Sequence, residues 1–328
     1  MLAAFYERMG AARDVLRLDN IPDPQPLAGE VRVRIRWSGL NPSDVKSRAG
    51  LLGRPMAFER VIPQSDGMGV VDAVGDGVDK HIIGRRVWIY NAAWGRPFGT
   101  AAGWTCVPEQ MAVPLPDCVP DEAGACMGIP AMTALHALLM DGGVAGKTVL
   151  IAGGAGAVGH YAIQFAARLG AARILTTVSS ASKAKLAREA GADEAINYKT
   201  TPLVEQVREL TRGLGVDRVI EVDMAVNGIQ NLDLLRVGGE CVAYGSSPAP
   251  LNLPFPALLA KNVQLKFFLV YQLAARDRAV AQAALQGMLR RQDLVHNIGV
   301  RLPLSEIAAA HEMVEQGQAV GNVVLSVP

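Results

Sequence analysis

The sequence predicts an α/β protein with two domains, an all-β unit and a doubly wound parallel sheet. The chain of 328 residues is longer than one hydrophobic core usually supports. Its first third consists of short β-like runs divided by Gly and Pro. From about residue 121 onward, apolar strands alternate with helical segments. The two textures indicate two separately built cores.

The all-β unit is predicted from alternating hydrophobicity. Residues 30–37, EVRVRIRW, alternate apolar with charged or polar side chains, so Val31, Val33 and Ile35 share one face of a strand. Further β-like runs at 67–74 and 86–90 lie between Gly and Pro clusters. These runs predict an antiparallel unit over roughly the first 120 residues.

The parallel sheet is predicted from the segments that follow. Residues 121–143 indicate a helix that is interrupted or started at Pro130. Strands and helices then alternate, as a parallel sheet with crossover helices requires. The predicted elements are strands at 148–152, 174–178, 216–222, 240–244, 265–271 and 321–327, and helices at 161–169, 183–190 and 276–291.

Composition excludes several classes of function. Lys and Arg number 32 against 31 Asp and Glu, so the net charge of +1 gives no broad field for nucleic acid or anionic membrane. The four cysteines are scattered, and the five histidines form no helical pair, so we expect no metal site. No apolar run reaches membrane-spanning length, and the N-terminal segment lacks a signal-peptide or transit pattern. We therefore expect a cytosolic protein.

A glycine motif predicts a dinucleotide site. In TVLIAGGAGAVGHYAIQFAARLGA, a strand leads into Gly154, Gly156 and Gly159 before an apolar helix. We expect Gly154 to permit the tight turn and Gly156 to let backbone N–H groups approach a pyrophosphate. We expect Gly159 to let the helix pack closely on the strand. An ordinary Gly-rich turn is the alternative, and the strand before and helix after favour the dinucleotide site.

The end of the next strand predicts which dinucleotide binds. An acidic residue about 20 positions after the motif would hold the ribose hydroxyls of NAD. Here Ser179 and Ser180 follow the strand, and Lys183 lies one helical turn beyond Ser179. With no carboxylate to repel a 2′-phosphate, NADPH is favoured. In the alternative interpretation, Ser180 caps a helix and Lys183 is a solvated surface lysine.

Several ordered motifs resemble the medium-chain dehydrogenase/reductase superfamily, and more narrowly its zinc-free NADPH:quinone oxidoreductase, zeta-crystallin-like branch. They are SGLNPSDVKSRAG at 38–50, IPQSDGMGVVDAVGDGV at 62–78, GIPAMTALHAL at 128–138, the glycine motif and GADEAINY at 191–198. The resemblance implies a discontinuous GroES-like β-barrel domain (1–124 and 266–328) and a Rossmann NADP-binding domain (125–265). Its implied activity is hydride transfer from NADPH to a quinone or a similar conjugated carbonyl compound.

The resemblance also bears on metal. Zinc alcohol dehydrogenases of the superfamily carry cysteine at the position of Asn41, a His-Glu pair at Ser65 and Asp66, and a further ligand at the position of Gly128. All three ligands are replaced here by poor ones. Without a Lewis acid to polarise an alcohol, reduction of an electron-poor quinone or enone is the expected chemistry.

The family's cofactor contacts transfer to matching positions of this chain. Those implied near the nicotinamide and its ribose are Asn41, Thr133, Gly245, Val270, Tyr271 and Asn322. Those implied at the phosphates are Ala157 and Val158 for the pyrophosphate, through their N–H groups, and Ser179, Lys183 and Tyr198 for the 2′-phosphate. An apolar strand residue such as Val270 is usually core, however, and Asn322 after a glycine is usually a turn.

No catalytic acid is assigned, and Asn41 and Tyr271 are only weak candidates for a catalytic role. The segment NAAWGRPFG, with Asn91, Trp94 and Phe98, is expected either to line an apolar acceptor pocket or to be a packed loop. Tyr90 is a further candidate acid, although a buried tyrosine hydroxyl usually bonds to backbone. The alternative functions are enone or alkenal double-bond reduction, and a crystallin-like NADPH-binding protein with little turnover.

Assembly is predicted from the apolar run at 263–271. A long apolar edge strand invites uncontrolled pairing unless something covers it. A two-fold partner could pair the same strand from each subunit, and the resemblance likewise implies a homodimer joined through the Rossmann domains. In the alternative, the chain's own helices cover the strand. Beyond this second copy, the expected partner is the small-molecule substrate alone.

Overall fold

The computed structural model describes residues 1–53, 55–245 and 247–328. The chain forms two compact units. Unit 1 comprises residues 1–130 and 286–328, and unit 2 comprises residues 131–285. The sequence placed these transitions after residues 124 and 265. The second one lies later because the segment after residue 263 contributes a strand to the parallel sheet of unit 2.

The described residues form strands and helices in the following order. The strands are β1 (Leu2–Phe5), β2 (Arg17–Asn20), β3 (Glu30–Leu40), β4 (Asp66–Val74), β5 (Arg86–Ile89), β6 (Trp104–Pro108), β7 (Ala112–Pro114), β8 (Thr148–Ile151), β9 (Arg173–Val178), β10 (Glu194–Asn197), β11 (Val216–Glu221), β12 (Leu235–Ala243), β13 (Gln264–Phe267), β14 (Ile298–Pro303) and β15 (Asn322–Ser326). The helices are α1 (Ala12–Val15), α2 (Pro42–Ala49), α3 (Asp121–Gly124), α4 (Met132–Leu139), α5 (Ala157–Arg168), α6 (Ala181–Glu189), α7 (Leu203–Leu210), α8 (Met224–Leu234), α9 (Phe255–Lys261), α10 (Ala275–Arg290) and α11 (Ile307–Glu315).

Unit 1 is built on a seven-stranded sheet in the order β14-β15-β3-β4-β5-β7, with β6 also paired to β3. Its pairs are antiparallel except β14 with β15. The alternation in β3 works as predicted, because Val31, Val33 and Ile35 are all buried in one apolar cluster. The C-terminal strand β15 pairs with β3, so the end of the chain completes the N-terminal unit.

Unit 2 contains a six-stranded parallel sheet in the order β10-β9-β8-β11-β12-β13. Counted along the chain from β8, this is the order 3-2-1-4-5-6 of a doubly wound sheet, so that prediction is confirmed. The order reverses between β8 and β11. In such sheets ligands bind outside the carboxyl ends of the strands at that reversal, which directs attention to the turn after β8.

The edge of this sheet differs from the prediction. The run at 263–271 was expected to form one long strand, but β13 ends at Phe267 and residues 270–272 form a 3₁₀ turn. Val270 and Tyr271 are buried, and their carbonyl groups accept hydrogen bonds from Arg278 at 3.0 and 3.3 Å. A side chain of the next helix therefore satisfies these two carbonyl groups in the turn after the strand.

The chain stays helical at Pro130 because one turn there is wider than an α-helical turn. Residues 127–131 form a π-helical turn that contains Pro130, and α4 begins at Met132. Proline lacks the N–H that an α-helix needs and clashes with the preceding turn, so a local π-turn accommodates it. Of the two sequence interpretations, interruption at Pro130 is the one observed. Among the described residues, no helix has the length and apolar character needed to cross a membrane.

Unit 1 buries two basic side chains between α2 and α11. Arg48 is fully buried and forms an ion pair with Glu315 at 2.9 Å. His311 is also fully buried, and among the described residues neither of its ring nitrogens has a hydrogen-bond partner. Burial, reinforced by the charge of Arg48, lowers the pKa of His311 to about 3. The imidazole is therefore neutral in the folded protein.

This histidine should make the fold sensitive to acid. The pKa of His311 is about 3 in the folded state and near 6.5 when unfolded, so below pH 6.5 unfolding takes up a proton. The resulting loss of stability is at most about 1.4 kcal/mol per pH unit, down to about pH 3. His311→Leu should flatten the pH dependence of the urea-unfolding free energy between pH 6 and 4. The exposed His81→Leu is the control, and identical slopes for both variants would contradict the assignment.

Candidate cofactor site

A turn at residues 152–155 connects the end of β8 to the start of α5. Gly153 has φ +69, a conformation that glycine adopts without strain. Gly154, which was predicted to permit the tight turn, lies in the same turn without a positive φ. A side chain at Gly154 would instead overlap Thr176 of β9. Gly154 is thus required for close packing, and the residue before it makes the turn.

The other two glycines of the motif have different environments. A side chain at Gly159 would overlap the carbonyl group of Gly153, so α5 approaches the turn as closely as backbone atoms allow. Gly156 is exposed, and the nearest atom to an added Cβ would be the Gly153 oxygen at 3.2 Å. The space outside Gly156 is therefore open to a ligand.

Two threonines of β9 hold the turn in place. The Gly153 N–H donates to the Thr177 hydroxyl at 3.0 Å, and the Gly154 N–H donates to the Thr177 carbonyl at 3.1 Å. The Thr176 hydroxyl donates to the Ile151 carbonyl at 2.6 Å. Sequence reasoning missed both threonines. The available signal was their position at the carboxyl end of the strand that neighbours β8.

The turn delivers the chain to the N-terminus of α5. The first residues of a helix have N–H groups without intrahelical partners, and the helix dipole makes this end attractive to anions. Ala157 and Val158 occupy the first two positions, and among the described residues no side chain caps the helix. The first turn also carries no acidic side chain. This arrangement suits a pyrophosphate.

The residues predicted at the 2′-phosphate lie together at the carboxyl ends of β9 and β10. The Lys183 ammonium donates to the Ser179 hydroxyl at 3.1 Å. The Tyr198 N–H donates to the Val178 carbonyl at 3.1 Å, which brings Tyr198 beside the end of β9, and its side chain is 53% exposed. Ser180 caps α6 by accepting from the Lys183 N–H at 3.3 Å. The capping interpretation is therefore correct for Ser180 and leaves the Lys183 ammonium at the strand end.

The residues predicted around the nicotinamide are distributed over both units. In unit 2, Thr133 is buried on α4. Gly245 follows β12, and a side chain there would overlap the Val222 carbonyl group. The 3₁₀ turn already described buries Val270 and Tyr271.

In unit 1, Asn322 begins β15 and donates from Nδ2 to the Asn297 carbonyl at 3.0 Å. Its backbone N–H donates to the same carbonyl group at 2.8 Å. The amide of Asn322 therefore ties a loop, as the alternative interpretation of this residue expected.

In unit 1, Asn41 lies at the start of α2 between two buried carboxyl groups. Its Nδ2 donates to Asp66 Oδ2 at 2.9 Å, and its backbone N–H donates to Asp44 Oδ2 at 2.9 Å. Asp66 Oδ2 also accepts from the Ile129 N–H at 3.0 Å. A side chain at Gly128 would overlap Asp66 Oδ1. Asn41, Asp66 and Gly128, which were compared with metal-ligand positions, therefore do meet in space.

Burial controls the charge of these two carboxyl groups. It raises the pKa of Asp44 to about 7, and hydrogen bonds from Asn41 oppose the shift. It raises the pKa of Asp66 well above its usual range, opposed by the Asn41 hydrogen bond and reinforced by the nearby Asp44 charge. Both carboxyl groups therefore hold their protons to a higher pH than an exposed aspartate does. Sequence reasoning did not anticipate this buried acid.

The candidate acid Tyr90 has a structural partner. Its hydroxyl donates to the Gln110 carbonyl at 3.0 Å, so the common case for a buried tyrosine is confirmed. In the loop that follows, Asn91 has φ +56 and is buried, whereas Phe98 is 42% exposed. The Thr105 hydroxyl donates to the Phe98 carbonyl at 3.1 Å. The segment is therefore packed at Asn91 and tied by its backbone at Phe98, as the packed-loop alternative expected.

Comparison with known proteins agrees with this geometry. Two family models match the chain, the alcohol dehydrogenase GroES-like domain over residues 27–117 and the zinc-binding dehydrogenase over residues 157–288. The human quinone oxidoreductase is 29% identical over 315 residues, which are 95% of this chain and 94% of that protein. A mycobacterial protein solved in complex with NADPH is 30% identical, covers 99% of both chains and has a TM-score of 0.87. The chain belongs to the medium-chain dehydrogenase/reductase superfamily, in its zinc-free quinone oxidoreductase branch. The Escherichia coli quinone oxidoreductase solved with NADPH is 25% identical, with 99% and 100% of the two chains covered and a TM-score of 0.87.

Zinc, which the name of one matching family model implies, does not fit the residues present. The cluster in unit 1 offers one amide, one buried carboxyl group and a glycine, with none of the thiolate or imidazole ligands that zinc prefers. Asp66 Oδ2 is already engaged by two N–H donors. Across residues 1–53, 55–245 and 247–328, no group of three His, Cys, Asp or Glu side chains is arranged to hold a metal ion.

The environments of the two glycines predict that fold and cofactor binding can be separated. Gly156→Ala should lower the melting temperature less than Gly159→Ala does, because its Cβ would lie 3.2 Å rather than 2.2 Å from the Gly153 oxygen, and it should weaken NADPH binding, because backbone N–H groups approach the pyrophosphate at this glycine. Gly159→Ala should lower the melting temperature by several degrees, because its methyl group meets a backbone carbonyl group. Calorimetry and NADPH fluorescence titration measure both effects. The assignment is wrong if Gly156→Ala binds NADPH as the wild type does.

Proposed function

We propose that the protein is an NADPH-dependent quinone reductase that works without a metal. The observation that carries the proposal is the strand end where Ser179, Lys183 and Tyr198 gather beside the glycine turn. A lysine ammonium with a hydroxyl neighbour is suited to a phosphate, and no carboxylate takes the place at which NAD-binding proteins hold the ribose. Relatives over nearly the full chain are named quinone oxidoreductases, and some were solved with NADPH.

In this proposal, different residues of the chain bind different parts of the cofactor. The turn from Gly153 and the N–H groups of Ala157 and Val158 hold the pyrophosphate. The contacts proposed for the nicotinamide and its ribose, from the family resemblance, are Asn41, Thr133, Gly245, Val270, Tyr271 and Asn322. NADPH, when bound, supplies a hydride to the acceptor.

The protein itself positions the reactants and excludes water. Most of these proposed nicotinamide contacts are buried side chains: Asn41, Thr133, Val270, Tyr271 and Asn322. A quinone is already electron-poor, so it accepts hydride without a Lewis acid. We assign no protein acid to the accompanying proton.

Turnover with three acceptor conditions tests the function. NADPH oxidation should be fast with 1,2-naphthoquinone, slower with a simple enone and negligible without acceptor. Activity should survive exhaustive chelation, because the unit 1 cluster has no suitable metal ligands. A preference for the enone would favour double-bond reduction. Failure to turn over any acceptor, with NADPH still bound, would favour a nucleotide-binding protein with little catalysis.

The cofactor preference should depend on one ammonium group. Lys183→Ala should weaken NADPH binding by about 1.5 to 3 kcal/mol, the contribution of a charged hydrogen bond, and leave NADH binding nearly unchanged. Lys185→Ala is a matched control two residues away, since Lys185 is 78% exposed and pairs with Glu189. Equal losses for NADPH and NADH would show that Lys183 does not contact the 2′-phosphate.

We further propose a cytosolic homodimer joined through unit 2. Strand β13 lies at the edge of the parallel sheet and leaves Phe267 57% exposed. Phe255 and Leu259, on the helix before it, are about 70% exposed. An edge strand with exposed apolar neighbours favours pairing with a second copy. All four cysteines are unpaired, which is consistent with a reducing compartment.

Sedimentation tests the dimer. Leu265 packs against the core of unit 2, so Phe267 on the same strand is the better position to change. Phe267→Glu should convert the dimer to a monomer, because a carboxylate would be buried at the interface. Leu214→Glu, at a loop residue 74% exposed, should remain dimeric. A monomeric wild type, or a dimeric Phe267→Glu, would exclude this interface.

A further inference from the structure

The carboxyl group of Asp66 is the best-defined polar feature of unit 1 that the proposed function does not use. Asp66 is the first residue of β4 and is fully buried. Its Oδ2 accepts two hydrogen bonds, from Asn41 Nδ2 at 2.9 Å and from the Ile129 N–H at 3.0 Å. One side chain thereby links the start of α2 to the π-helical turn before α4.

The chain makes room for this carboxyl group at two glycines. A side chain at Gly39 would overlap the Ala125 carbonyl group and approach Asp66 Cβ to 3.0 Å, and one at Gly128 would overlap Asp66 Oδ1. Gly39 pairs directly with Asp66 in the β3–β4 ladder. The Thr100 hydroxyl donates to the Asp66 carbonyl group. The backbone and the side chain of Asp66 are both fixed.

The preceding backbone is strained. Gln64 is fully buried and has φ +74, a conformation that a residue with a side chain rarely adopts. Its side-chain oxygen accepts from the Ser38 hydroxyl. Strained conformations persist only where the surroundings determine them, and they concentrate at functional sites. The strain lies two residues before Asp66, in the segment that delivers its carboxyl group.

The Asp66 bond and the capping box of α2, in which the Asn41 side chain accepts from the Asp44 N–H, favour the same orientation of the Asn41 amide. Rotating the amide by half a turn would place Asn41 Oδ1 against Asp66 Oδ2, which already accepts from Ile129. Two facing acceptors repel each other, so a single amide orientation is stable. The Asn41 backbone is fixed as well, by its N–H bond to Asp44 Oδ2 at 2.9 Å.

We propose that Asp66 is the positioning residue of Asn41 in the reductase reaction, holding the Asn41 amide in the one orientation that meets the nicotinamide end of the cofactor. The inference rests on the proposed function, which places Asn41 near the nicotinamide. Asp66 does not touch the substrate. It acts through Asn41 and contributes a fixed geometry, which hydride transfer needs because small misplacements lower its rate strongly.

Kinetics of four variants test the proposal. Asp66→Ala and Asn41→Ala should each lower kcat about tenfold or more, with KM for NADPH within about threefold, and the double variant should be no slower than either. Asp66→Asn should recover most of the loss, because its amide oxygen can accept the same two N–H groups. A larger isotope effect with 4-deuterated NADPH should accompany the slow variants. Additive losses, or a loss in KM alone, would overturn the proposal.

A measurement without turnover separates this proposal from the proposed function. With ¹⁵N-asparagine labelling, the Asn41 side-chain NH₂ signal, assigned by its absence in Asn41→Ala, should exchange slowly with solvent in the wild type and in Asp66→Asn. It should exchange rapidly in Asp66→Ala. If the wild type reduces no quinone but the signal behaves in this way, the proposed function fails and the anchoring of Asn41 stands.

Rapid exchange in the wild type would overturn the positioning role whatever the activity. Should Asp66→Ala not fold, the wild type, Asp66→Asn and Asn41→Ala still decide the question. In that case an unprotected wild-type signal, or an Asp66→Asn variant as slow as Asn41→Ala, rejects the proposal.

Discussion

The contact between the N-terminus of α5 and the turn after β8 constrains most of unit 2. Gly159 lies against the Gly153 carbonyl group, and Gly154 lies against Thr176, so neither glycine can carry a side chain without moving backbone or β9. Because of this close approach, the free N–H groups at the start of α5 lie next to the exposed Gly156. The end of the neighbouring strand β9 carries the Ser179 hydroxyl, which accepts from the Lys183 ammonium. The open helix end beside the turn is therefore a consequence of how closely helix and sheet pack.

Close packing at glycines also shapes the cluster of Asn41, Asp66 and Gly128 in unit 1. The positions that were compared with zinc ligands converge in this chain on a hydrogen-bonded carboxyl group and amide. Glycines again provide the space, at Gly39 and Gly128. Burial raises the pKa of Asp66 well above its usual range and that of Asp44 to about 7, so both carboxyl groups hold their protons to a higher pH than exposed aspartates do.

Much of this arrangement could be predicted from the sequence, and the exceptions have physical reasons. Periodicity identified the parallel sheet, but it missed the short strand β10 and could not give the strand order, which depends on contacts between distant segments. The turn after β13 likewise bonds to Arg278 of the following helix, a contact that no local pattern shows. The motif located the turn, yet which glycine has a positive φ is a property of the folded backbone. The Ser179 and Lys183 pair was predictable because both lie in one short segment. The role of Asp66 was not, because its partners Asn41 and Ile129 come from separate parts of the chain.

The central claim is that the ends of β9 and β10 recognise a 2′-phosphate, and a comparison of two cofactor fragments tests it most directly. Adenosine 2′,5′-bisphosphate differs from 5′-AMP only by that phosphate. Isothermal titration calorimetry of the wild-type protein should show the bisphosphate binding at least about tenfold more tightly, equivalent to about 1.4 kcal/mol. The preference should shrink as salt is added, because it depends on a partly exposed ammonium group. Equal affinity for the two fragments would contradict the account.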